Sequence, residues 1–257
     1  MENKNRPIAV LDSGVGGISV LKELVKTLPE ENFIFFGDEK NAPYGTKKKE
    51  EVKKIVFGNA DFLFNKKHAK ALVIACNTAT GAAVAQLREK YPEIPIIGIE
   101  PEIKTAALQK ENPKVLVMAT PLTLKQEKFL RLEGKYSDVA DFTLLPCSGL
   151  MELIEEGHTD DETLAKYLEN LFSSLEKTDF DAIVLGCTHY PHAAKTIAKF
   201  FPETPIYDGC RGTAMQTARR LEEEDLLKND GKKGEIEFMT TAENEKFEPL
   251  CKKLLGI

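Results

Sequence analysis

The sequence predicts an α/β fold made of two pseudo-symmetric domains, each a mainly parallel sheet flanked by helices. Short apolar runs alternate with helix-periodic segments along the whole chain, the pattern of parallel strands joined by crossover helices. A strand, a cysteine and a helix follow one another twice: Ala71-Leu-Val-Ile-Ala-Cys-Asn-Thr78 recurs in outline as Ala182-Ile-Val-Leu-Gly-Cys-Thr-His189. The two cysteines lie 111 residues apart, and the opening runs Ile8–Asp12 and Val115–Ala119 lie 107 apart. Two matches in the same order point to duplicated halves.

Ile8–Leu11, Phe33–Phe36, Ala71–Ala75 and Ile96–Ile99 read as strands of the first half. None alternates with polar residues, as expected of strands covered on both faces. Between the second and third, Val52, Ile55, Val56, Asn59, Phe62 and Leu63 recur at three-and-four spacing and predict a helix. Val115–Met118, Phe142–Leu145, Ala182–Leu185 and Ile206–Tyr207 continue the strand series, and Leu164, Leu168, Leu171, Phe172 and Leu175 mark another amphipathic helix. The tail predicts a helix from about Thr213 to Leu227, a strand around Ile236–Met239 and a last helix through Leu255, with Cys251 in its apolar face.

Composition narrows the function. With 42% hydrophobic and 30% charged residues the chain has the balance of a soluble globular protein. A net charge of −6 argues against nucleic acid as a partner, because that binding relies on clustered Lys and Arg. The basic run Lys47–Lys49 is interrupted by Glu50 and Glu51 and reads as a solvated helix face. Met1 to Pro7 lacks the apolar stretch of a signal peptide, and no eighteen-residue apolar window suggests a membrane span. Five cysteines spread over 257 residues do not resemble a disulfide framework. The expected location is the cytoplasm, with thiols reduced.

In parallel sheets, ligands sit at the carboxyl ends of strands, and Cys76 and Cys187 both occupy that place. At the start of a helix, each would have free N–H groups and the helix dipole to favour a thiolate. If the halves face each other, the two sulfurs point into one cleft. A disulfide is disfavoured in a reducing compartment, and zinc would need closer ligands than His189 and His192 with Pro191 between them. Asp12-Ser13-Gly14-Val15-Gly16-Gly17 follows the first strand, but Ser19 breaks the dinucleotide-binding fingerprint at its third glycine. The glycines instead admit a small ligand or a tightly packed helix, and Asp12 either orients a thiol, holds an ammonium group or caps a helix. Tyr44, in Pro43-Tyr44-Gly45, could close over a ligand. His189, beside the second thiol, can assist its ionisation.

Asp12-Ser13-Gly14, Pro43-Tyr44-Gly45, Cys76-Asn77-Thr78 and Gly186-Cys187-Thr188-His189-Tyr190-Pro191 together resemble the bacterial glutamate racemase family, in the right order and over nearly the whole chain. The resemblance implies a first domain of residues 1–100 plus 211–257, a second of residues 101–210, and an active site between them. It implies racemisation of glutamate without pyridoxal phosphate or metal, supplying D-glutamate for peptidoglycan, in a cytoplasmic homodimer with no membrane or nucleic-acid partner. Cys76 and Cys187 correspond to the acid/base thiols. By the same resemblance, the first would deprotonate the D-enantiomer and the second the L-enantiomer. Asp12, Ser13, Tyr44, Gly45, Asn77, Thr78, Thr188 and His189 correspond to substrate contacts, and Glu155 or Glu156 to a carboxylate assisting the histidine. The seven residues before the first strand are shorter than the leader of members activated by a cell-wall precursor. The alternatives are an aspartate or broad acidic amino-acid racemase, against which His189 weighs, and a nucleotide- or phosphate-binding regulatory module, against which the broken fingerprint weighs.

Overall fold

The computed structural model describes residues 3–175 and 179–257. The first half runs β1 (Ile8–Asp12), α1 (Ile18–Thr27), β2 (Phe33–Gly37), α2 (Lys49–Asn65), β3 (Ala71–Ile74), α3 (Asn77–Lys90) and β4 (Ile96–Gly98). The second runs α4 (Ile103–Ala107), β5 (Lys114–Ala119), α5 (Pro121–Lys125), α6 (Glu127–Gly134), β6 (Asp141–Pro146), α7 (Leu150–Glu155), α8 (Glu162–Phe172), β7 (Ala182–Leu185), α9 (Ala194–Phe200) and β8 (Ile206–Asp208). The chain then returns through α10 (Cys210–Glu223), β9 (Ile236–Thr240) and α11 (Phe247–Leu255).

Two all-parallel sheets result, ordered β4-β3-β1-β2-β9 and β6-β5-β7-β8. Read from the other edge, the second repeats the first four strands of the first sheet, with β9 as the added strand. The internal echo in the sequence is therefore a repeat of topology. Each sheet is covered on both faces, which explains the unbroken apolar runs. Ile8 and Val10 face one layer of helices while Ala9 and Leu11 face the other. In the second sheet, Leu116 and Met118 face opposite Val115 and Val117 in the same way.

Local chemistry sets several boundaries. Thr120 caps α5, its hydroxyl accepting from Thr123 N with Pro121 at the first helical position. Asp161 caps α8 by accepting from Leu164 N at 3.0 Å. The expected helix from Thr213 to Leu227 instead spans Cys210–Glu223. Asp208 Oδ1 accepts from Cys210 N at 2.8 Å and starts it three residues early, and Asp225, at φ 53°, lies beyond its end. Lys47 and Lys53 pair with Glu51 and Glu50 at 3.2 and 2.5 Å on the exposed side of α2. Cys251 is fully buried in the core. Among the described residues no helix is long and apolar enough to cross a membrane.

One buried ion pair ties the edge of the first domain together. Lys70 Nζ donates to Glu31 Oε2 at 2.5 Å and to the carbonyls of Lys4 and Leu226 at 2.6 and 2.8 Å. Both side chains are 1% exposed. Burial lowers the Lys70 pKa, with Glu31 acting in opposition. Lys70→Met would strand the Glu31 carboxylate, so we expect a loss of about 3–5 kcal/mol in urea unfolding.

Candidate active site

Ser13 follows β1, Cys76 follows β3, Thr120 follows β5 and Cys187 follows β7. In each sheet the cysteine strand is the hydrogen-bonded neighbour of the domain's opening strand. The carboxyl ends of these four strands surround one narrow cavity. Ser13, Gly45, Cys76, Asn77 and Thr78 line it from the first domain, and Thr120, Thr123, Met151 and Gly186–His189 line it from the second. Both thiols thus reach one cavity, from different sheets.

The second domain comes close because the β1 loop carries little bulk. A Cβ on Gly14 would stand 1.8 Å from Glu155 Oε1, and one on Gly16 would stand 2.2 Å from His189 Nδ1. Bare backbone admits both side chains. Polar contacts then join the loops. Thr188 Oγ1 donates to Asp12 Oδ1 at 3.1 Å, and Ser19 Oγ lies 2.8 Å from the Thr188 carbonyl. His192 Nε2 lies 3.3 Å from Gly16 O, while His189 faces the cavity, so the two histidines have separate partners.

His189 is 1% exposed, with Nδ1 3.8 Å from Cys187 Sγ and Nε2 3.0 Å from Glu155 Oε1. Burial disfavours its charged form, but the Cys187 sulfur and the Glu155 carboxylate outweigh burial and raise its pKa well above the ordinary value. Glu155 is therefore the carboxylate that meets the histidine. Glu156 is exposed and lies 3.9 Å from His158.

Cys76 stands in a different field. It stands at the N-cap position of α3, and the Ala79 N–H and Ser13 hydroxyl favour its anion. Burial and the nearby Asp12 carboxylate oppose them and push the thiol up to about 12. The helix start favours the thiolate, as the sequence leads one to expect, but burial outweighs it. Dipole effects are worth about 0.3–1 kcal/mol, whereas full burial can shift a pKa by about 3–5 units. Cys187 departs from expectation in another way. A 3-10 turn at Tyr190–Ala193 separates it from α9, so its titratable neighbour is His189 and not the end of an α-helix.

Asp12 and Tyr44 lie behind the cavity wall. Asp12 is fully buried, accepts from Gly14 N at 3.0 Å, and has a pKa raised by burial against the pull of His189. The Tyr44 hydroxyl is occupied by Asp38 Oδ2 at 2.6 Å. Asp38 also accepts from Asn41, Asn59 and Thr241. Tyr44 therefore anchors its loop while Gly45 reaches the cavity.

The profile of the family described as Asp/Glu/Hydantoin racemase matches residues 8–217. A glutamate racemase from Clostridium acetobutylicum is 50% identical over 257 residues, covering 100% of both chains. The crystal structure of glutamate racemase from Francisella tularensis in complex with D-glutamate superposes with a TM-score of 0.85 at 31% identity, covering 99% of this chain and 95% of that one. The Escherichia coli glutamate racemase, in complex with L-glutamate and the activator UDP-MurNAc-ala, gives a TM-score of 0.86 at 28% identity, covering 97% and 95%. The chain belongs to the Asp/Glu/Hydantoin racemase family.

As a racemase of this family, the protein has cavity residues that were not singled out in its sequence. Thr120, Thr123 and Met151 line the cavity, and Thr78 Oγ1 lies 3.3 and 3.1 Å from the hydroxyls of Thr120 and Thr123. One signal was available: Thr120 stands 107 positions after Ser13, the same offset as the opening strands.

Two outcomes test this geometry. Gly16→Ala should displace His189 from Cys187 and lower racemase turnover about 100-fold with unchanged circular dichroism. In the Cys187→Ser variant, alkylation of Cys76 followed by mass spectrometry should accelerate about tenfold per pH unit from pH 7 to 10, without a plateau, because its thiolate fraction is still rising below a pKa of about 12.

Proposed function

We propose that this racemase interconverts L- and D-glutamate by two-base proton transfer, with Cys76 and Cys187 serving opposite faces of the α-carbon. The observation that carries the reading is that the two thiols line one cavity from opposing domains. The substrate is inferred from full-length relatives named glutamate racemase and from similar structures described in complex with D- or L-glutamate.

Inversion needs a base on one face and an acid on the other, because a single base would return the proton to the face it left. From L-glutamate, the Cys187 thiolate takes the α-proton first, and the Cys76 thiol then delivers its own to the opposite face. From D-glutamate the roles reverse. One C–H bond breaks, one forms, and no electrons leave the system. Protonated His189, held by Glu155, supplies the positive charge that a thiolate at Cys187 needs beside it. The resting protonation of Cys76 suits it to be the acid in the L-to-D direction.

The α-hydrogen is far less acidic than a thiol, and positioned proton transfer contributes only about 10²–10⁴-fold. Donors aimed at the charge developing on the carboxylate must provide more. Backbone N–H groups around Ser13, Asn77–Thr78 and Thr188, with the Thr120 and Thr123 hydroxyls, fit that task. Asn77 Oδ1 is buried without a hydrogen-bond partner and offers an acceptor for the substrate ammonium.

The biological reading follows from the substrate. D-glutamate produced in the cytoplasm would supply peptidoglycan, with the enzyme acting as a homodimer. We assign residues 1–100 plus 211–257 to the first domain and 101–210 to the second. The return of α10 and β9 to the first core and sheet supports that division.

Purified protein should racemise L-glutamate in a chiral assay, act far more slowly on aspartate, and place deuterium on the α-carbon of its product in heavy water. Cys76→Ala and Cys187→Ala should each keep the fold and abolish interconversion. Normal turnover by either variant would end the two-thiol reading.

A further inference from the structure

Ser19 attracted notice only as the residue that breaks a glycine fingerprint. It is 7% exposed, and its hydroxyl reaches across the domain seam to the Thr188 carbonyl at 2.8 Å. Gly16 O lies 2.9 Å from the same hydroxyl but already accepts from Ser19 N at 3.0 Å, so the hydroxyl proton is best used on Thr188. Thr188 is the residue after Cys187, and its own hydroxyl is held by Asp12. The first domain therefore holds the Cys187 loop by a backbone carbonyl and a side chain together.

The second domain holds the other thiol's loop in a matching way. Gln126 is 5% exposed, and its Nε2 donates to the Thr78 carbonyl at 2.9 Å. Thr78 lies two residues after Cys76. Gln126 can approach because Gly81 is bare there: a Cβ on Gly81 would stand 1.8 Å from Gln126 Oε1. Gln126 also follows Ser19 by 107 positions, the offset that relates β5 to β1. Each grip comes from the segment after a domain's opening strand, crosses the seam, and ends on a carbonyl just past the opposite domain's cysteine.

We propose that Ser19 and Gln126 are reciprocal positioning residues, Ser19 aligning Cys187 and Gln126 aligning Cys76 for proton transfer. Neither lines the cavity. Each acts through the backbone that carries the thiol of the other domain. This rests on the two-thiol reading above.

The two enantiomers have equal free energy, so any variant must lower kcat/KM equally in both directions. The asymmetry appears in the isotope effects. If Ser19→Ala slows transfer at Cys187, abstraction from L-glutamate becomes more rate-limiting. The isotope effect on kcat/KM with α-deuterated L-glutamate then rises, and that with α-deuterated D-glutamate falls. Gln126→Met should move the pair of values in the opposite sense. In each variant kcat/KM should fall about 2- to 10-fold, the scale of one hydrogen bond.

The experiment measures both isotope effects for the parent protein and each variant, with thermal unfolding alongside. Opposite displacement of the L-to-D ratio of isotope effects in the two variants supports the assignment. Reduced activity with an unchanged ratio, or displacement in the same sense, overturns it and leaves the residues as general seam contacts. If Ser19→Ala fails to fold, Gln126→Met alone still carries the sign test. A parent protein that racemises with no primary isotope effect from either enantiomer would instead count against the two-thiol reading itself.

Discussion

His189 can lean on the first domain only because residues 14 and 16 carry no side chains. That contact sets the closeness of the two sheets' carboxyl ends, and the remaining cross-domain geometry follows from it. With the imidazole against bare backbone, Glu155 reaches its far nitrogen and Cys187 lies beside its near one. Thr188 is then close enough for Asp12 and Ser19 to hold it. A side chain at either glycine would open the seam and separate groups that act only at hydrogen-bond range.

The duplicated fold makes the two thiols topologically equivalent, but their surroundings make them electrostatically different. One sits among a carboxylate, a hydroxyl and a helix N-terminus, and burial dominates there. The other sits beside an imidazole whose pKa the Cys187 sulfur and Glu155 carboxylate raise against burial. A repeated backbone has thus been given two different electrostatic surroundings by a few residues next to each sulfur.

Much of this was legible in the sequence, for identifiable reasons. Strands buried on both faces leave unbroken apolar runs, so β1, β2, β5 and β7 could be read nearly to their ends. The thiols stood out because each follows such a run and is itself followed by small polar residues. Tyr44 was harder: its hydroxyl partner Asp38 is in turn held by Asn59 and Thr241, which only tertiary structure brings together. Glu155 and Glu156 could not be separated, because adjacent helical residues point about 100° apart and the packing of α7 decides which meets His189. The end of a helix is a poor guide to thiol ionisation without knowledge of burial, and Cys76 is buried in a core cluster that only the folded chain assembles.

The narrowness of the cavity bears on what happens between catalytic cycles. Under the two-thiol reading, converting L- to D-glutamate leaves the protons on the opposite sulfurs from where they began. The spent enzyme must then regain its starting arrangement, and a narrow cavity in which both sulfurs are largely buried gives water limited access for that exchange. Under that reading, product release and solvent access for restoring the protons share the same narrow route. At high substrate concentration the pace of this recovery, and not the breaking of the carbon–hydrogen bond, can set the speed of the enzyme.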